Sequence, residues 1–161
     1  MLRKLTLFLC LVLLNTSLNA QLVINYSHEG NADTTKLNFA KTEFSKYLKV
    51  AIFNSRIHQS IFNIKLIKKG ANQNGKFSYT INSQGNLVNM ICIGEDEAAI
   101  GHSLYTILEN LGFQFDITGV VVPTVFKTGI FKGDSQSINP FTRWRGIRQH
   151  VNFPMDIHLI P

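Results

Sequence analysis

The densest group of side chains that could bind a ligand lies near the end of the sequence, in the segment FTRWRGIRQH. It contains Trp144 with Arg143, Arg145, Arg148 and His150. An arginine beside a tryptophan places forked N–H donors next to an aromatic face, which suits ligands with hydroxyl or carboxylate groups, such as sugars. Alternatively, Arg145 bonds carbonyl groups or an acid at a junction between domains. The sequence leaves both interpretations open.

The spacing of the acidic residues and histidines identifies no complete set of catalytic residues or metal ligands. Glu95, Asp96 and Glu97 are adjacent, but neighbouring residues on a helix point in different directions. The positive end of a helix dipole already explains carboxylates at this position. His150 and His158 lack the converging ligands that a metal ion needs. We therefore predict no catalytic residue, no cofactor and no metal ion for this chain.

The acidic turn belongs to the most strongly patterned stretch, VNMICIGEDEAAIGHSLYTILENLGFQF, which runs from Val88 to Phe115. Its first six residues are largely apolar on both faces, as in a strand covered on two sides. A single apolar stripe at helical spacing follows, formed by Ile100, Leu104, Ile107, Leu108 and Leu111. Gly112 is the expected end of this helix, and 113–116 form a return strand.

The preceding residues predict a strand at 22–25, a helix from about Thr35 to Phe53, and strands at 61–68, 77–82 and from Leu87. A helical crossover makes the first two strands parallel, and short connections predict hairpins among the next three. Residues 120–126 contain Pro123 and suit an edge strand or an extended crossing segment better than a central strand. We predict an α+β (α/β-like) fold with a mixed sheet of about five strands, two helices packed on it and an extended C-terminal tail.

The chain divides into four predicted segments. Residues 1–20 have a charged start, a short apolar run and a small residue at Ala20, which predicts a signal peptide. Residues 21–127 form a small α/β domain, residues 128–140 a polar connector, and residues 141–161 the start of a second domain that this chain lacks. After removal of the leader Cys92 is the only cysteine, so no disulfide forms. These features favour an exported protein of the bacterial periplasm or cell surface.

The charge distribution indicates which partners to expect. The formal net charge is +6, and it falls to +4 when Arg3 and Lys4 leave with the leader. The remaining basic residues are scattered, whereas a nucleic acid or an anionic membrane would favour a continuous stripe of them. We therefore expect no nucleic-acid partner, and no membrane contact after signal cleavage.

The element order, together with IGEDEAAIGHSLYTILENLGFQF, VVP and PFTRWRGI, resembles a domain of known glycoside hydrolases. It is the small non-catalytic α/β domain that precedes the catalytic barrel in family 20 β-N-acetylhexosaminidases and in α-glucuronidases of families 67 and 115. The resemblance implies that 141–161 begin a (β/α) barrel and that Arg145 contacts the substrate sugar. It also implies that the catalytic carboxylates lie beyond Pro161. The spacing from Phe141 to Arg145 is one residue longer than in the common hexosaminidase form.

The sequence thus leads to the hypothesis of a non-catalytic N-terminal domain, or fragment, of an exported carbohydrate-degrading glycoside hydrolase. Its partner would be the catalytic barrel in cis, with an oligo- or polysaccharide as a possible ligand, and the isolated chain would have no hydrolase activity. One alternative is a self-sufficient exported binding module in which Trp144 and Arg145 hold the ligand. The other is an interaction domain with no connection to sugars.

Overall fold

The computed structural model describes residues 22–55, 60–70, 75–116 and 119–140. In chain order its elements are β1 (Val23–Glu29), α1 (Thr34–Ser55), β2 (Ile61–Lys68), β3 (Phe77–Gln84), β4 (Leu87–Gly94), α2 (Glu97–Leu111), β5 (Gln114–Asp116), β6 (Gly119–Val121), a 3₁₀ helix (Thr128–Lys132) and β7 (Gly133–Ile138). A mixed sheet of five strands with two helices confirms the predicted fold class.

The five strands are ordered β1-β2-β4-β3-β7. β1, β2 and β4 are parallel, and β3 is antiparallel to both of its neighbours. The parallel crossover through α1 and the antiparallel β3–β4 hairpin are as predicted. The predicted hairpin between β2 and β3 is wrong, because β2 pairs with β4 and β3 lies beyond it. The connection between β2 and β3 is long enough to pass a strand, and the very apolar β4 occupies the centre of the sheet.

Two further strand predictions need correction. The return strand after α2 does not join the main sheet, because β5 pairs only with β6 in a two-stranded ribbon. The predicted strand 120–126 is shortened to Gly119–Val121. Pro123 follows directly, and a proline cannot donate to a strand ladder.

The segment 128–140, interpreted as a connector, contains regular structure that sequence analysis missed. Its second half is β7, which pairs with β3 along six residues and forms one edge of the sheet. The Gly, Ser, Asp and Gln residues of this segment give no strand pattern, so pairing with β3 must determine its conformation. The assignment of this segment as the link to a second domain stays a prediction.

The ends of α2 follow the chemistry that the sequence predicted. Asp96 is extended and its Oδ1 accepts a hydrogen bond of 2.8 Å from the Ala99 N–H, which satisfies one of the unpaired donors of the first turn. Gly112 adopts the left-handed conformation, with φ of 110°, and its N–H donates to the Glu109 carbonyl at 2.8 Å. The predicted helix end at Gly112 is therefore confirmed.

Both helices pack on the same face of the sheet and form one apolar core with it. The apolar side chains of β2, β3 and β4 that point toward the helices are almost completely buried, namely Phe62, Ile64, Leu66, Phe77, Tyr79, Ile81, Val88, Met90 and Cys92. Gly94 allows α2 to begin close to the sheet, since a Cβ there would lie 2.5 Å from the Ile100 nitrogen. We call this the covered face.

The opposite face of the sheet has no helix on it among the described residues. Every side chain of the central strands β2 and β4 that points this way is partly or fully exposed, namely Ile61, Asn63, Lys65, Ile67, Leu87, Asn89, Ile91 and Ile93. The expectation that β4 is covered on two sides is therefore wrong for the part of the chain that the structure describes. We call this the open face.

Candidate functional site

The residues predicted to bind a sugar, Trp144 and Arg145, lie outside the described residues, as do the signal peptide and the predicted barrel strand 141–161. Their roles stay predictions. The surfaces that the structure describes are the acidic turn, a cleft at one edge of the sheet, a polar group beneath β7, and the outer side of the helix layer.

The three carboxylates of the acidic turn have separate partners. Glu95 Oε2 accepts a 3.0 Å hydrogen bond from the backbone N–H of Lys76, and Asp96 caps α2. Glu97 Oε1 accepts from the backbone N–H of Asp33 at 2.8 Å and from Lys68 Nζ at 2.9 Å. Only Glu97 is helical, because α2 begins there and Asp96 is extended, so the placement of all three carboxylates in the first helical turn is wrong. The three groups nevertheless diverge and do not form an acid/base pair.

Glu97 joins three parts of the chain. Its side chain is only 12% exposed. Hydrogen bonds from the Asp33 backbone N–H and from Lys68 lower the pKa of Glu97 to about 2. Through these two hydrogen bonds the ionised carboxylate links the β1–α1 connection and the end of β2 to the start of α2. Its function is structural.

A cleft of about 610 Å³ opens at the carboxyl ends of β2 and β4, the edge at which α/β sheets commonly bind ligands. Lys69, Lys76, Ser78, Ser137 and Glu95 supply its polar side chains. Among the described residues that line it, Glu95 is the one carboxylate, and it is already bonded to the backbone. Glycoside hydrolysis by the usual route requires two carboxyl groups on opposite sides of the bond. The cleft does not provide that pair.

A group of polar side chains fastens β7 to the core. The buried Tyr79 hydroxyl donates to Asp134 Oδ2 at 2.7 Å and accepts from Asn110 Nδ2 at 2.5 Å. Gln136 Oε1 lies 3.3 Å from both the Tyr79 hydroxyl and Asn110 Nδ2. Burial and the neighbouring Asp134 raise the pKa of Tyr79 to about 12, so the phenol stays protonated. These contacts explain why the polar β7 segment is held as an edge strand.

Two phenylalanines on the outer side of α1 are strongly exposed. Phe39 is 71% exposed and Phe53 is 86% exposed. The residues are 14 positions apart, which places them on nearly the same side of the helix, about 21 Å from each other. The helix periodicity of the sequence could have identified both, since they lie opposite the buried stripe of Leu37, Phe44, Leu48 and Ala51.

The ribbon β5–β6 adds further apolar surface to the helix layer. Phe115 of the ribbon makes edge contacts with the rings of Tyr47 on α1 and Tyr105 on α2, at centroid distances of 5.6 Å and 4.9 Å. The ribbon therefore rests on the helices. Its end and the residues after it expose three valines by 45% to 79%, namely Val121, Val122 and Val125.

Metal-binding clusters and membrane-spanning helices are both absent from the described ranges. No group of three or more His, Cys, Asp and Glu side chains is arranged to hold a metal ion. None of the helices in this part of the chain is both long enough and apolar enough to cross a membrane.

Comparison with known proteins finds similarity only at the level of loosely related solved structures. No protein-family model matches the chain, and no curated protein matches it. Among solved structures, the crystal structure of Flavobacterium johnsoniae chitobiase, a GH20 protein, is similar with a TM-score of 0.44 and 18% sequence identity. The similarity covers 80% of this chain and 19% of the chitobiase chain. The chain thus spans about a fifth of that protein's length, and the two backbones agree only loosely.

Proposed function

We propose that this chain is the non-catalytic domain of an exported carbohydrate-degrading glycoside hydrolase, and that its helix layer packs against the catalytic barrel. The observation that carries the proposal is the exposure of Phe39 and Phe53 on α1. The exposed valines of the β5–β6 region lie on the same layer of the molecule. The motif resemblance from 95 to 146 supplies the identity of the expected partner.

The energetics favour a covered helix layer. Removing a phenylalanine side chain from water stabilises a protein by about 1.5–3 kcal/mol. Phe39 and Phe53 are 71% and 86% exposed in the described structure. Burial of these two side chains against another protein unit would therefore be favourable.

The proposal assigns no catalysis to the domain. The carboxylates of the acidic turn support the fold, and the cleft at the sheet edge contains one carboxylate. The chain should therefore leave aryl glycosides intact, and turnover by the purified chain would contradict the proposal. In the complete enzyme the domain would support the barrel and cover part of its outer surface.

The first test reads the coding DNA beyond Pro161. The proposal expects an open frame that encodes strand–helix repeats and paired carboxylates. The second test compares oxidative labelling of the 161-residue chain and of the longer protein. Phe39 and Phe53 should be labelled in the short chain and protected in the long one. Val23, which is 38% exposed on the open face, serves as the control and should be labelled in both. If Phe39 and Phe53 are labelled to the same extent in the short chain and in the longer protein, the proposed docking surface is rejected.

A further inference from the structure

The cleft at the carboxyl ends of β2 and β4 lies between two chain connections that leave the sheet in different directions. After β4 the chain turns into α2 on the covered face, whereas after β2 it continues toward β3. A crevice between diverging connections is where α/β sheets commonly hold a small ligand. The volume of about 610 Å³ lies within the range of small-molecule sites. A Cβ added to Gly70 at the rim would have no atom within 4 Å, so the cleft is open on this side.

Two lysines are held by their backbones on either side of the end of β4. The Lys69 N–H donates to the Gly94 carbonyl at 3.0 Å, and the Glu95 N–H donates to the Lys76 carbonyl at 3.2 Å. The Lys76 N–H donates to Glu95 Oε2 at 3.0 Å. Because neighbouring strands are about 4.8 Å apart, the backbones of Lys69 and Lys76 are separated by roughly 10 Å across β4. From these positions two flexible lysine side chains can reach one ligand.

The side chains of the cleft carry an excess of one positive charge. Its charged lining residues in the described ranges are Lys69, Lys76 and Glu95. The ammonium groups of the two lysines form no ion pair in the part of the chain that the structure describes. Two unpaired cations beside one carboxylate favour an anionic ligand over a neutral or a cationic one.

The other charged groups near the cleft are already used. Lys68 forms an ion pair with Glu97 on the covered face, and Lys65 forms one with Glu29 on the open face. Asp96, the residue after Glu95, caps α2 and lines a different surface. None of these groups cancels the positive charge of the two cleft lysines.

Two serine hydroxyls lie beside the lysines. The strand register places Ser78 of β3 between Ile93 of β4 and Ser137 of β7, and all three residues line the cleft. Each hydroxyl can donate a hydrogen bond to a negatively charged oxygen, and such charge-assisted bonds are stronger than neutral ones. The cleft therefore combines cationic groups with hydroxyl donors.

We infer that this cleft binds a small molecule by its oxyanion group, a carboxylate or a phosphate. Lys69 and Lys76 hold this group between them, and the two serine hydroxyls donate hydrogen bonds to it. Lysine acts as a point charge without the fixed fork of arginine, so it accepts carboxylate and phosphate oxygens alike. The inference goes beyond the proposed function and is independent of it, because Phe39 and Phe53 lie on α1 and the cleft opens on the other side of the sheet.

The test titrates the full chain with inorganic phosphate, with acetate and with glucose as a neutral probe, at constant ionic strength. The backbone amide NMR signals of Gly70, Ser78 and Ser137 should move with at least one of the two anions and stay in place with glucose. A response to phosphate alone identifies a phosphate as the charged group of the ligand, and a response to acetate alone identifies a carboxylate.

Variants of opposite charge effect sharpen the test. Lys69→Gln and Lys76→Gln should each lower the association constant of the anion by about fivefold, the size of one charge contact in water. Glu95→Gln should raise it by a similar factor, because it removes a repulsion and keeps an oxygen that can accept from the Lys76 N–H. Lys49→Gln removes the same charge from an exposed position on α1 and should bind as the wild type does.

Three results would overturn the inference. The first is the absence of any movement of the cleft signals with phosphate and with acetate. The second is an equal loss of binding in Lys49→Gln and Lys69→Gln, which would indicate a general effect of net charge. The third is a folded Glu95→Gln variant that binds no more tightly than the wild type.

The lysine variants keep the test decisive if Glu95→Gln does not fold. Lys69 and Lys76 are both exposed, so their substitution should leave the native spectrum intact. Loss of anion binding in these variants should not change the labelling of Phe39 and Phe53. This inference and the proposed function can therefore fail separately.

Discussion

The side chains on the two faces of the sheet differ in how far they are buried. On the covered face, side chains such as Ile64 and Met90 are 1% or less exposed and belong to one continuous core with both helices. On the open face, Ile91 and Ile93 are only partly buried, and β3 places Thr80 and Ser78 opposite them. Parallel strands are usually covered on both sides. The difference indicates that the covered face determines the fold, whereas no helix among the described residues covers the open face.

The largest expected effect compares the same substitution on the two faces. Ile64→Ala should lower the free energy of unfolding by about 3 kcal/mol, because it leaves a cavity in the core. Ile91→Ala should lower it by about 1 kcal/mol or less, since the side chain already contacts water. Urea unfolding of both variants measures the difference. Equal losses would mean that the open face is covered in the native protein.

Gly94→Ala tests how closely α2 approaches the covered face. The new Cβ would lie 2.5 Å from the Ile100 nitrogen and 2.9 Å from the Ala99 carbonyl carbon, both backbone atoms. We expect a loss of about 1–3 kcal/mol, measured by thermal unfolding. Gly129→Ala has no atom within 4 Å of the new Cβ and should change the stability by less than about 0.5 kcal/mol. Similar stability of the two variants would contradict the close approach.

Glu97→Gln should lower the free energy of unfolding at pH 7 by about 1–2 kcal/mol, because the charge-assisted bonds from Asp33 and Lys68 are weakened. The folded pKa of about 2 lies below the ordinary value of 4.5. The carboxylate therefore stabilises the fold fully above pH 4.5 and loses this contribution as the pH falls toward 2. The free energies of unfolding of wild type and variant should thus converge as the pH falls. Urea titrations from pH 7 to 3 measure them. A difference independent of pH would contradict this linkage. Glu109→Gln is the exposed control.

The smallest expected effect is on the asparagine row of the open face, which the strand register forms from Asn25, Asn63, Asn89 and Asn82. Asn63→Val should change the stability by no more than about 0.5 kcal/mol, and in the stabilising direction, because valine favours a strand. Asn110→Val should instead cost about 1–2 kcal/mol, since it removes a donor to the buried Tyr79 hydroxyl. Chemical denaturation of both variants provides the comparison. A large loss in Asn63→Val would show that the row is part of the fold.

The covered face was largely predictable from the sequence, and the open face was not. The stripe from Ile100 to Leu111 and the end at Gly112 follow from local periodicity and backbone chemistry. The asparagine row depends on the register of four strands, which includes the unpredicted pairing of β2 with β4. β7 was missed because its residues have no strand pattern and its position depends on contacts with Tyr79.

The exposure of Phe39 and Phe53 was also predictable from the sequence. Helical periodicity places both residues opposite the apolar stripe of α1 that meets the sheet. The binding roles of Trp144 and Arg145 stay predictions, since these residues lie outside the described ranges.

The position of Cys92 at the centre of the sheet has a practical consequence. Its thiol is fully buried, and burial raises its pKa to about 12. Thiolates react with alkylating reagents and buried thiols do not. Cys10 lies in the predicted leader, so a chain without the leader would carry this one thiol. Its rate of alkylation would then report how often the sheet and helices separate, and would measure the opening of the domain without any added label.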